Sequence, residues 1–276
     1  MGNEITRRDA ELTETTAKHH RSHLNKLKEF KKVVTFAELD EDFFQELNKW
    51  MKVKKKNSAN TRHSTLKTIR TYVNIARRKG IIKHNPFQRM PVKKTIPDRV
   101  FLEPEELESL KKLYLKETLR SKHQKVLRHF LFGCYTGLRI SDIRSISMED
   151  IFGNMLVLVP HKTKNINAKT VKIPLTRTAR MLIKDESPYR LNGHVFNCFS
   201  EQKMRDYIKE VAKMVEIDKN INFHTARHTF ATLFLRKTKN LIGLQKILGH
   251  QSVTQTMIYS HIITDDLISD MEDFDS

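Results

Sequence analysis

Cysteine is scarce, long apolar runs are missing, and acidic residues are outnumbered by basic ones. Only two cysteines occur, Cys134 and Cys198, each inside an apolar stretch (HFLFGCYTG and HVFNCFS). That placement suits buried free thiols in a reducing compartment and excludes a disulfide-built scaffold. Thirteen histidines come with neither paired cysteines nor an H-E-x-x-H run, so they make no zinc motif. No apolar run approaches the roughly 20 residues that span a bilayer, and the N-terminus carries no apolar signal segment, so a cytoplasmic location without membrane association is expected. A P-loop, a paired-carboxylate motif of a two-metal nuclease, an evident DDE arrangement, internal repeats and low-complexity tracts are all missing as well.

What is present is positive charge. Lys and Arg outnumber Asp and Glu by 51 to 32, a formal +19 over 276 residues, which is too large for a routine solubility surplus and implies a polyanionic partner. Residues 1–97 hold 23 basic against 10 acidic residues (+13), which leaves 28 against 22 (+6) for residues 98–276. The amino-terminal part is the more cationic surface, and with no apolar segment to favour a membrane, DNA or RNA is the expected partner.

The chain reads as two domains. Apolar spacing predicts helices over 11–32, over 40–51 with Asp40 as N-cap, and over 58–79, where Leu66, Ile69 and Val73 share one face with Ile75 or Ala76 and Gly80 closes the end. Segment 84–104 holds four prolines and no helical period, marking a boundary. We place a helical domain at 1–90, a basic linker at 91–98 and a second domain at 99–276. In the latter, helices are predicted over 104–119, 121–136, 201–215, 225–238 and 240–248, and a hairpin from 155–159 and 170–174. The expected fold class is mainly α with a small antiparallel β-sheet.

Four segments carry the chemistry: TGLRISDI at 136–143, HKTK at 161–164, HTARHTFAT at 224–232 and LGHQSVTQTMIYSH at 248–261. Their order and spacing resemble the phage-integrase or tyrosine recombinase family over essentially all of 99–261. The amino-terminal domain is similar to that family's SAM-like core-binding domain in size, helicity and charge. Any one segment alone would be a weak signal; the four in order are specific.

The resemblance implies attack on a DNA phosphodiester by Tyr259, giving a covalent 3′-phosphotyrosine that conserves the bond energy, with no metal, nucleotide or other cofactor. The chemistry asks for fixed cations where charge builds on the non-bridging oxygens. Arg139 and Arg227 match the family's two phosphate-clamping arginines, and guanidinium forks suit that task. An ion pair of Arg139 with Asp142, three residues on, is also expected. Tyr259 lies nine positions after His250, similar to the family's spacing. A phenol with a pKa of about 10 needs help to attack; His224, one helical turn from Arg227, would supply it as base or as phosphate donor. Lys162 aligns with the family's hairpin lysine, the general acid for the leaving 5′ oxygen, with Lys164 close enough to compete. His250 would donate to a non-bridging oxygen. His228, four after His224, reads as structural.

Grip on double-stranded DNA is expected from Lys52, Lys54, Lys55, Lys56, Arg62, Lys67, Arg70, Lys93 and Lys94. By resemblance the two domains would clamp the duplex in a C shape, four protomers would form the synaptic complex at specific sites, and accessory DNA-bending proteins are a further partner class. Bacterial nucleoid association follows from the same reading. The tail 262–276, with apolar Ile262, Ile263, Leu267, Ile268 and Met271, would dock on its own domain or on a neighbour. The length fits either a two-domain, Xer-like member or a piece of a longer chain that also carries the arm-binding domain of many mobile-element integrases. Integration and excision of an element is the expected task. The alternatives are an Xer-like dimer resolvase or an invertase, a type IB topoisomerase, and a non-catalytic DNA-binding regulator.

Overall fold

In a computed structural model the chain is mainly helical with one small antiparallel sheet and divides into two compact units, Met1–Pro97 and Asp98–Ser276. The described residues are 1–8, 11–83, 85, 87, 94–95, 99–161, 169–184, 193–197, 199–260 and 271.

The first unit holds α1 (Gly2–Arg7), α2 (Glu14–Phe30), α3 (Glu41–Val53) and α4 (Ala59–Arg78). Three side chains set the starts: Thr13 accepts from the Thr16 amide, Asp40 from Phe43 and Ser58 from Thr61, each satisfying an amide the helix leaves orphaned. Helix α2 therefore starts three residues later than its apolar spacing predicts, because Thr13 captures the first turn. Apolar faces of α2, α3 and α4 meet around Phe44, Leu47, Met51, Leu66, Ile69 and Val73, with Phe87 closing the cluster.

The second unit is built on α6 (Ser121–Thr136), most of whose residues are buried on every side, as expected of a helix packed all round. Around it lie α5 (Pro104–Leu115), α8 (Arg177–Lys184), α9 (Glu201–Met214) and α10 (Phe223–Thr238). The buried Arg128 is compensated by carbonyls, donating to Leu182 O at 2.6 Å and Ile183 O at 3.3 Å near the end of α8, where the helix dipole favours a cation. Short α7 (Ile140–Ser145) and α11 (Leu241–Leu248) complete the helices used below. Cys134 is buried and free; Cys198 lies outside the described residues.

The sheet runs β1 (Ile151–Phe152), β2 (Met155–Leu158), β3 (Val171–Pro174) in that order, all antiparallel. Gly153, at φ +57°, turns β1 into β2, a conformation glycine adopts without strain. The β2–β3 register pairs Leu156 with Ile173 and Leu158 with Val171, so one face is buried in the core while Lys172 points outward.

Sequence periodicity overextends α5, which ends at Leu115, with Glu117 beyond it at φ +52°. It also misses α8 (Arg177–Lys184), as well as α1, α7 and β1, the last three of which are too short for a period to register. Helix α10 starts two residues before the predicted 225 because Asn222 accepts from the His224 and Thr225 amides while the Thr225 hydroxyl accepts from the Asn222 amide, a reciprocal cap. Among the described residues no helix is long and apolar enough to cross a membrane.

Candidate active site

The site is assembled where three chain segments end or begin helices. The first is the end of α6. Gly137 follows it at φ +70°, and a Cβ there would fall 2.6 Å from Phe230 Cδ1 and 2.7 Å from Leu248 Cδ2. Both the left-handed backbone and the close approach require glycine. Two residues on, Arg139 occupies the N-cap position of α7. Asp142, in the first turn of α7, is 1% exposed. One of its oxygens accepts from the His161 amide at 2.9 Å and the other lies 3.8 Å from Arg139 Nη1. The expected Arg139–Asp142 ion pair is present at long range. Asp142 also fixes the chain where it leaves β2 toward Lys162.

Helix α10 supplies the second group. Arg227 is buried, and its donors are fixed from three directions: Nη1 donates to Gly137 O at 2.7 Å, and Nη2 donates to Leu248 O at 2.8 Å and contacts His250 Nε2 at 3.0 Å. His224 is exposed on the first turn of the same helix, and His228 is partly buried.

The third group follows α11. Gly249 takes φ +64°, and a Cβ there would lie 2.7 Å from Val171 Cγ2 on β3, so glycine lets the helix end close onto the sheet. The next residue is His250, whose Nδ1 lies 2.8 Å from the buried Thr256 hydroxyl. A 3-10 turn, Met257–Tyr259, then carries Tyr259 into a cluster with Ala231, Leu235, Leu244 and Leu248. Its ring is 3% exposed, and its hydroxyl lies 2.6 Å from His228 Nδ1. The Arg99 guanidinium sits 5.8 Å from the Tyr259 ring centroid.

Burial and like charge set the protonation states. Burial, then the neighbouring Arg139, pull Arg227 down to about 10, so it stays a cation at neutral pH. His250 is lowered to about 4 by burial and by Arg227, Arg139 and Arg99. Because a guanidinium only donates, His250 Nε2 is the acceptor from Arg227, and Nδ1–H donates to Thr256. A role for His250 as donor through Nε2 therefore requires an anion that draws Arg227 away or restores the second proton. His228 is lowered to about 4 by burial, Arg99, His224 and Arg227. Burial raises the Tyr259 phenol against the pull of Arg99, Arg227 and Arg139.

Arg227, His250 and Tyr259 thus come together as the sequence suggests, with Arg139 electrostatically coupled to each of them. Lys162 and Lys164 lie outside the described residues, as do Lys93 and most of the tail 262–276. Sequence reasoning missed Arg99, which sits in a proline-flanked stretch without motif signal, and Thr256. It also took His228 as structural, although the residue beside Arg227 in the same segment touches the Tyr259 hydroxyl. In the first unit Lys52, Lys54, Lys56, Lys67, Arg70 and Lys94 are exposed. Arg62 instead ties α4 to α3 and the loop between them, donating to Asn48 and to Asn57 O. Lys55 pairs with Glu29 at 2.6 Å and lies over Trp50.

The phage integrase family matches residues 100–265, and the phage integrase SAM-like domain matches residues 1–96. Tyrosine recombinase XerA of Saccharolobus solfataricus is 29% identical over 243 residues, 81% of this chain and 75% of the relative. Tyrosine recombinase XerC of Oceanobacillus iheyensis is 27% identical over 220 residues, 73% of this chain and 70% of the relative. Among solved structures, a Tn1549 transposon integrase in complex with transposon right end DNA is similar at TM-score 0.79 and 19% identity, covering 100% of this chain and 98% of that one. The XerH site-specific recombinase bound to a palindromic difH substrate is similar at TM-score 0.74 and 17% identity, covering 95% and 80%.

Proposed function

Because the chain belongs to the phage integrase family and is a tyrosine recombinase, an enzyme that breaks and rejoins DNA strands, we propose that Tyr259 is its nucleophile and that Arg139, Arg227 and His250 bind the phosphate it attacks. The observation that carries this reading is the direct Arg227–His250 contact, with the Tyr259 phenol in the field of both arginines. The buried Arg227 guanidinium, held by the Gly137 and Leu248 carbonyls, is positioned before charge develops on the phosphate, so little reorganisation of that arginine is needed. Tyr259 Oη forms a bond to phosphorus as the bond from phosphorus to the 5′ oxygen breaks. Lys162 gives that oxygen its proton. The reverse step, attack by a 5′ hydroxyl, releases Tyr259 without an external energy source. His224, exposed beside Arg227, contributes a donor to the phosphate.

The duplex is held chiefly by phosphate contacts from Lys52, Lys54, Lys56, Lys67, Arg70 and Lys94, with the linker at 91–98 along the backbone. Lys55 and Arg62 belong to the same basic surface, with Glu29 and the Asn48 and Asn57 oxygens holding them in the free protein. Four protomers at paired specific sites carry out the exchange, and the tail beyond residue 261 contacts a neighbour. The proposed task is integration and excision of a mobile element, in line with the fold shared with the Tn1549 integrase along the whole chain. A second reading, resolution of chromosome dimers, is favoured by the identity to XerC and XerA.

A nicked suicide substrate carrying candidate sites, from element ends or from a chromosomal dimer-resolution site, tests this. A protein–DNA band on a denaturing gel with wild type and none with Tyr259→Phe, at equal binding, is the expected result. Adducts with both proteins would move the nucleophile elsewhere. Binding without adduct on a verified site would leave a non-catalytic DNA-binding protein.

A further inference from the structure

We infer that His228 is a catalytic residue that takes the phenolic proton of Tyr259 as the tyrosine attacks phosphorus and returns it when the strand is rejoined. The inference rests on the reading of Tyr259 as nucleophile and gives that reaction its proton acceptor.

The geometry is direct. His228 Nδ1 lies 2.6 Å from the Tyr259 hydroxyl, within the reach required of a general base. The Arg99 guanidinium, 5.8 Å from the Tyr259 ring centroid, can only donate, so the imidazole is the partner here that can accept the phenolic proton. The helix that carries His228 is pinned on either side of it. Arg227, the preceding residue, is fixed by two carbonyls, and the Thr229 hydroxyl, one residue on, donates to Thr225 O and accepts from the Leu102 amide.

The charges facing His228 are Arg99 from the segment before α5 and His224 and Arg227 from its own helix, with Tyr259 opposite. Burial and those cations hold the imidazole neutral, with a value near 4, and its Nε2–H tautomer presents the Nδ1 lone pair to the hydroxyl. Tyr259 keeps its proton, since burial raises the phenol. Transfer is unfavourable in the free protein, which keeps the nucleophile unionised. A phosphodiester among Arg99, Arg139 and Arg227 would offset the cations that suppress His228 and raise its basicity. Bond formation to phosphorus acidifies the phenol at the same moment. The proton therefore moves from Oη to Nδ1 as the oxygen–phosphorus bond forms, while the leaving 5′ oxygen is protonated separately by Lys162. His224 remains a phosphate donor.

The test uses the full chain on a verified site, with either the natural 5′ oxygen or a bridging 5′ sulfur at the scissile phosphate. A thiolate leaves without a proton, so the sulfur substrate bypasses the acid and still needs the base. His228→Ala and His228→Gln are compared with wild type, with Tyr259→Phe as blank; the glutamine can hold the phenol but cannot accept its proton. Roughly 10²- to 10⁴-fold slower adduct formation is expected for both variants on both substrates, at unchanged DNA binding. Added imidazole should restore His228→Ala, and its rate should keep rising with pH where wild type levels off. Lys162→Ala should recover on the sulfur substrate alone. Wild-type rates in the His228 variants would overturn the inference. So would faster adduct formation, which would make the contact a restraint, rescue by sulfur, or loss with neither an imidazole response nor an altered pH profile. If wild type and Tyr259→Phe both form adduct, the nucleophile itself is wrong; if wild type alone does and the His228 variants match it, only the base assignment falls.

Discussion

The Arg227 guanidinium donates to the main-chain carbonyl of Gly137, 90 residues earlier in the chain, at 2.7 Å. The turn that ends α6 is thus part of the phosphate site, and a residue with no side chain orients the more buried arginine.

Gly137→Ala meets both a left-handed backbone and two contacts under 3 Å. A loss of about 2–4 kcal/mol is expected, seen as a lower melting temperature. Because the carbonyl must shift with the turn, adduct formation should fall further than DNA binding does.

Arg227→Lys keeps the charge and loses the fork. One ammonium cannot serve two carbonyls and the His250 imidazole, and a buried carbonyl left without a donor costs about 1–3 kcal/mol. Adduct formation should drop by roughly 10²- to 10³-fold on the suicide substrate, and phosphate contacts elsewhere should keep binding near wild type.

Asp142 separates two roles. Asp142→Asn retains an oxygen for the His161 amide but drops the charge near Arg139, so stability should hold within about 1 kcal/mol. Asp142→Leu leaves that amide without an acceptor and should cost about 1–3 kcal/mol. Thermal melts of the two variants distinguish the effects; equal losses would mean that the hydrogen bond to His161 contributes nothing.

Much of this site was legible in the sequence because its chemistry is concentrated in short ordered segments. TGLRISDI, HTARHTFAT and the LGH-to-tyrosine stretch bring Arg139, Arg227, His250 and Tyr259 into one neighbourhood. Arg99 was not legible, since it has neither period nor motif and reaches Tyr259 only through the path of the chain before α5. His228 reads from the sequence as structural: spacing of four from His224 suggests a shared helix face but says nothing of what faces it. The basic residues carry a different lesson. Lys55 and Arg62 look like phosphate ligands by composition, and their internal partners, Glu29 and the Asn48–Asn57 pair, are set by packing between helices. The fold class followed from periodicity in the long helices, whereas caps such as Thr13 and Asn222 shifted their starts.

Acid should destabilise the second unit through His129. Its ring is buried against Phe196 with Nε2 lacking a partner, and burial lowers it from 6.5 to about 4. The fold holds the neutral form, so the unfolded chain binds more protons between those values. The stabilisation is complete above pH 6.5 and is lost as pH falls toward 4, by up to about 3 kcal/mol. His129→Leu should melt with a shallower dependence between pH 7.5 and 4.5; an unchanged slope would assign the acid sensitivity to other groups.

The convergence of Arg99, Arg139 and Arg227 on the Tyr259 phenol and the neutral His250 imidazole sets durability against turnover. Like charges crowded in a half-dry pocket repel each other in the free protein, and a polyanion relieves that repulsion. A selection for heat resistance would therefore enrich substitutions that discard one of these guanidiniums, such as Arg99→Met, and a selection for strand exchange would remove the same substitutions.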